Sequence, residues 1–249
     1  MSARALQLIG CGPSLCKPYT LRQKVIAAAL LLCAWLSPSE SNAALQIIND
    51  EDCVAMELSA MGKPGDTVAR ARQQVLAILE PQNACSAWFQ QSDTKPAEVF
   101  RSLHFELERD GPSRVYGMRN PQGQLFFKHP WAARAIENAG RDSVIRLNAN
   151  GPFFNRSSPV IQRDSGAEID WTSGNRVLTI ADFNGDTPEA QITILLHELG
   201  HIIGRLPADG SWDGRSVQNT AEVLRHCKSQ TSAAAHRPAR KWLRAAHLW

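Results

Sequence analysis

No stretch of this 249-residue chain reaches the run of about 20 apolar residues that a membrane-spanning helix needs. There is no internal repeat, and no glycine-rich loop of the kind that cradles a nucleotide phosphate. None of the six cysteines forms a Cys-x-x-Cys pair, which argues against a cysteine-ligated metal cluster. Charge of one sign is not in large excess either. The formal net charge is +3, and residues 1–43 carry Arg4, Lys17, Arg22 and Lys24 against Glu40 alone, so the remainder is neutral and offers no nucleic-acid face.

The start of the chain reads as an export signal. Basic residues precede an apolar run over residues 25–36, and Ser41 and Ala43 supply the small side chains that suit cleavage before Ala44. Residues 1–43 are therefore expected to be a signal peptide and the protein secreted or periplasmic. An uncleaved anchor is the alternative. Cys53, Cys85 and Cys227 then remain, an odd number in an oxidising compartment. Pairing of Cys53 with Cys85 is expected, tying an N-terminal helix pair; in the alternative, Cys227 joins one of them and staples a C-terminal helix. The last residues, 228–249, contain Lys228, Arg237, Arg240, Lys241 and Arg244 and no acid. They read as a flexible basic tail, or a short amphipathic helix touching anionic lipid or cell-wall polymer.

The most informative run is His197-Glu198-Leu199-Gly200-His201, set within Ile192-Thr193-Ile194-Leu195-Leu196 before it and Ile202-Ile203 after it. Residues four apart on an α-helix lie on one face, so both imidazoles can reach one Zn2+ while Glu198 faces water at the ion. Local signals place the helix: Asp186 or Thr187 as the cap, Pro188 at the first position, Glu189 near the positive end, and Gly204 at the left-handed terminus. Ile192, Leu196, Leu199 and Ile203 recur as one buried stripe. Gly200 inside that helix suggests close approach of another backbone.

On these residues the chain resembles the zincin superfamily of zinc-dependent metallopeptidases, extended to His-Glu-x-x-His-x-x-Gly at Gly204. It is also similar to secreted bacterial proteins with a late HELGH helix, an Asp-containing loop and a Cys-terminated helix. The resemblance implies His197 and His201 as ligands and Glu198 as general base and proton shuttle. It departs from the metzincin branch, whose third ligand would fall at Pro207 and whose turn needs a methionine that never follows His201. A third ligand from the loop after Gly204 points to Asp209, with Asp213 beside it; a gluzincin-like arrangement points to Glu222. His226, four residues after Glu222, is a further candidate as ligand or as a donor to a developing oxyanion, unless the two simply pair on the surface.

The expected architecture is α+β: a single zincin-like domain over residues 44–227, an antiparallel or mixed sheet packed against helices, with a helical segment at 44–95. Helices are expected over residues 66–80 and 84–91, and strands over 99–107, 114–118, 124–127, 144–148 and 176–180, with a turn at 120–123. One strand between 144 and 180 is expected to line the substrate groove. Residues 150–154 are expected to bury two rings rather than contact substrate. The Asp182 to Asp186 loop reads as a turn and cap, not a calcium loop. The function that follows is hydrolysis of a peptide or protein substrate; the alternatives are an exported binding or structural domain that keeps the helix without turnover, and an amidase acting on cell-wall peptide.

Overall fold

The computed structural model describes residues 50–119, 123–164, 167–210 and 214–237. The segment expected to be a signal peptide (1–43), residues 120–122 of the expected turn, Asp213 and the tail beyond residue 237 lie outside them. The described residues from Val54 onward form one compact unit.

The described N-terminal part is helical, as the helical spacing of its apolar residues predicts. Helix α1 (Asp50–Ala60) is followed after a glycine turn by α2 (Lys63–Leu79), with Pro64 in its first turn. Its buried side chains Val68, Ala71, Val75, Ile78 and Leu79 fall on one face, and that face enters the main core. Helix α3 (Ala84–Phe89) starts at a capping box: Asn83 accepts from Cys85 N and Ser86 N, and Ser86 Oγ accepts from Asn83 N.

The strand expected over residues 99–107 is divided. Pro96 opens a short helix, α4 (Pro96–Arg101), after an Asp93 side chain has accepted the Lys95 amide at 2.7 Å. Proline's fixed φ favours a first helical turn, so Val99 and Phe100 enter the core from a helix despite their β propensity. Only β1 (His104–Glu108) remains extended.

The strands form mixed sheets. In the first, β5 (Val144–Asn148) lies between β1, to which it is parallel, and β4 (Ala133–Arg134), which is antiparallel and at the edge. In the second, the order is β3 (Leu125–Lys128), β2 (Val115–Arg119), β6 (Ser157–Asp164), β7 (Ala167–Val177), with β2 and β6 parallel. The expected strand at 176–180 is broken at Leu178, whose amide binds the Arg156 carbonyl; β8 (Thr179–Ile180) and β9 (Phe183–Asn184) then make a small hairpin. Asp182 at its turn pairs with Lys228, so that loop is a turn stabilised by an ion pair. Phe153 is fully buried in the main core with Phe154 packed partly against it, as the core reading of residues 150–154 requires.

Two helices complete the unit: α5 (Pro188–Ile202) and α6 (Arg215–Ala235). Helix α6 continues eight residues past Cys227, with Thr231 and Ala234 buried and Gln74 donating to the Ala234 carbonyl at 3.2 Å. The first part of the segment expected to be a flexible tail is thus packed helix. Cys85 on α3 is bonded to Cys227 on α6, which corrects the expected Cys53–Cys85 pairing and matches the alternative in which Cys227 staples a C-terminal helix. The reason lies in the packing: α3 lies against α6, and that brings two fully buried cysteines together. No helix among the described residues is long and apolar enough to cross a membrane.

Candidate metal centre

Helix α5 begins where the local signals place it. Thr187 Oγ1 accepts the Ala190 amide and itself donates to the Asn184 carbonyl at 2.7 Å, and Pro188 occupies the first turn. The expected single buried stripe is too narrow, however. Every residue from Ala190 to Ile202 is buried, because α2, α6, β4 and β8 surround the helix. Its polar side chains are matched accordingly: Gln191 donates to the Phe153 carbonyl and Thr193 to that of Glu189.

The end of α5 turns the chain back over the histidines. Gly204 has φ +66°, and the Arg205 and Leu206 amides both bind the Gly200 carbonyl. The Asn138 and Gly140 amides satisfy the carbonyls of His201 and Ile202. The close neighbour of Gly200 is a side chain, not the backbone its sequence suggests: an added Cβ would meet Leu206 Cδ1 at 2.6 Å and Cγ at 2.7 Å. With Leu206 seated there, four residues of loop suffice to bring Asp209 to the site.

Three donor groups converge. His201 Nε2 is 2.9 Å from His197 Nε2, and the Asp209 carboxylate oxygens are 3.1 Å from His197 Nε2 and 3.4 Å from His201 Nε2. A tetrahedral ion with ligands about 2.0–2.1 Å away holds its ligand atoms about 3.3 Å apart, close to these separations. His197, His201 and Asp209 can hold a metal ion.

Two residues of α6 that the sequence reading passed over hold this arrangement. Asn219 Nδ2 donates to Asp209 Oδ1 at 2.7 Å and to the Pro207 carbonyl at 2.9 Å. Thr220 Oγ1 lies 3.0 Å from His197 Nδ1 and 2.9 Å from the Ser216 carbonyl. A carbonyl only accepts, so the single hydroxyl proton goes to Ser216 and the Thr220 oxygen accepts from His197 Nδ1–H. His197 Nε2 then presents a lone pair to another imidazole and a carboxylate. Such a cluster calls for a proton or a cation at its centre. A signal for these residues was available: Asn219, Val223 and Cys227 recur every four residues on the buried face, and an amide in such a series needs a polar partner inside.

Electrostatics reflect the same need. Burial works to raise the Asp209 pKa, but hydrogen bonds with His197, His201 and Asn219 overcome it and hold the carboxyl well below the usual range. Burial opposes charge on His201, yet the Asp209 hydrogen bond and the charges of Glu198 and Asp209 push its pKa up. The buried His201 Nδ1 has no hydrogen-bond partner of ordinary geometry. Glu198 is 5% exposed, and burial raises its pKa against the pull of the two imidazoles and the Ala135 backbone.

The other candidates are elsewhere. Glu222 pairs with Arg225 at 2.5 Å and with His226 at 3.2 Å, and the His226 ring stacks on Trp88 at 5.1 Å. Neither belongs to the converging group, and the surface-pair reading fits them. Comparison of the chain with known protein families, with curated proteins and with solved structures finds no match.

Proposed function

We propose that the protein is a secreted zinc-dependent metallopeptidase in which His197, His201 and Asp209 bind Zn2+ and Glu198 is the general base. The observation that carries the reading is the convergence of two imidazole nitrogens and a carboxylate at ligand spacing, next to a carboxyl buried on the same helix. The donor set suits zinc, which accepts nitrogen and carboxylate oxygen and leaves a fourth position open in catalytic sites. Zinc, when bound, supplies a Lewis acid that brings the pKa of water toward about 7 and polarises a carbonyl.

The chain's own residues do the rest. Glu198 takes a proton from the attacking water and delivers it to the leaving amine, and a carboxyl whose pKa is raised by burial is suited to both transfers. Thr220 keeps His197 in the tautomer whose Nε2 is available, and Asn219 fixes the Asp209 carboxylate. The edge strand β4 packs against α5, and Ala135, the next residue, donates its amide to Glu198. An extended peptide adding along that edge would pass Glu198, so the groove strand in this reading is β4 (Ala133–Arg134) and not, as expected, a strand between residues 144 and 180.

A second reading is an exported structural or binding domain with the same metal and no turnover. The burial of Glu198 and its hydrogen bond to the β4 segment favour it. Glu198→Gln separates the two. The peptidase reading predicts that hydrolysis of an unfolded protein substrate falls by at least about a hundredfold with zinc content unchanged. Hydrolysis that survives the change, or its absence from the zinc-loaded parent, would overturn that reading.

A further inference from the structure

We infer that the Cys85–Cys227 bridge gates metal binding: it fixes α6 in the place from which Asn219 and Thr220 pose the ligands, so the site is complete only once the bridge has formed. The inference rests on reading His197, His201 and Asp209 as metal ligands.

None of the three ligands lies on α6, yet two of them depend on it: Asp209 through Asn219, and His197 through Thr220. Thr220 and Cys227 are seven residues apart, two helical turns, on one face of the helix and about 10 Å along its axis. The end of α6 that carries the site is thinly held. Its N-cap, Gly214, offers no side-chain hydrogen bond, residues 214–218 are all exposed, and Val217 is 73% exposed. The first buried residues are Asn219 and Val223, so α6 is seated from its middle, where Cys227 is bonded to α3.

The cysteines are separated by 142 residues, so the bridge is the one covalent constraint joining α6 to an element far away in the chain among the described residues. Closing so long a loop ranks among the most stabilising uses of a disulfide. Bridge formation passes two electrons and two protons from the Cys85 and Cys227 thiols to a disulfide-class oxidant, which leaves as a dithiol. Both cysteines are fully buried, so the finished bridge is shielded from reductants and the gate acts during assembly. Before oxidation α5 keeps its histidines, but α6 is held by packing alone, without the covalent link that fixes its position for Asn219 and Thr220.

The test measures Zn2+ and Co2+ affinity of the full chain by competition with a chromophoric chelator, in the oxidised parent and in Cys85→Ala/Cys227→Ala, with far-UV circular dichroism on each. A folded double variant that binds both ions at least tenfold more weakly supports the gate. Asn219→Ala should then cost at least tenfold in the bridged protein and under threefold in the unbridged one. Equal affinity with and without the bridge overturns the gate and leaves the metal reading intact. An oxidised parent that binds neither ion overturns the metal reading and the gate with it. If the double variant does not fold, amide hydrogen exchange on the parent refolded with and without a dithiol reductant decides. Protection lost chiefly over residues 215–235 supports the gate; uniform loss along the chain overturns it.

Discussion

Replacing Thr220 by Val removes one oxygen and leaves the shape nearly unchanged, which isolates the contact between that oxygen and His197. In the parent, Thr220 Oγ1 accepts from His197 Nδ1 at 3.0 Å while donating to the Ser216 carbonyl. Without it, the ring N–H has lost its acceptor, a loss worth about 1–3 kcal/mol for a buried group. The ring is also no longer held in the tautomer that leaves Nε2 available. Losing a partner of this kind lowers metal affinity by about 10–100-fold, or about 1.4–2.7 kcal/mol. Thr220 is only half-buried, so water can partly replace the hydroxyl, and the expected loss lies near tenfold. Zn2+ competition titrations on Thr220→Val and Thr220→Ser supply the measurement. Serine restores the oxygen and should restore the affinity to within about threefold. Parent-like affinity in the valine variant would refute the reasoning, as would a serine variant as weak as the valine one.

The pH dependence of stability should change sign with metal. In the metal-free protein His201 and Glu198 have raised pKa values, so their stabilisation is fully present below the unfolded values of about 6.5 and 4.3 and is lost as pH rises through the folded ones. Asp209 is depressed, so its contribution is present above about 3.9 and lost only in acid. Melting temperature should therefore fall from pH 6 to 8 after chelation, whereas the zinc-loaded protein should hold or gain, because binding releases the His201 proton; parallel curves would contradict this. Gly200→Ala should lower the melting temperature and weaken zinc binding, because the new Cβ displaces Leu206, which is 2% exposed and leads to Asp209. Overpacking costs about 1–3 kcal/mol against a gain in helix propensity of about 1 kcal/mol, so calorimetry showing a more stable variant would count against that contact.

The extent of α5 was legible because its signals are local: Thr187 caps, Pro188 starts, and Gly204 turns. The position of Asp209 was partly legible for the same reason, since only a short loop separates it from Gly204. Residues 96–101 misled because Val99 and Phe100 favour strands while Pro96, three residues earlier, sets a helix. Strand β6 went unread because Ser157–Asp164 lacks apolar alternation, and its extension depends on pairing with β2 and β7 far away in the sequence. The four-residue recurrence of Asn219, Val223 and Cys227 marks a buried face and a need for a polar partner, but which groups meet Cys227, Asn219 and Thr220 depends on how α3, α5 and α6 pack.

X-ray absorption at the zinc edge, on full-length protein reconstituted with one equivalent of Zn2+, tests the central claim most directly. The account predicts two imidazole nitrogens and a carboxylate oxygen at about 2.0–2.2 Å, with that signal lost in His197→Ala and altered in Asp209→Ala. A spectrum that is unchanged by either substitution, or protein that retains no zinc after dialysis, would contradict it.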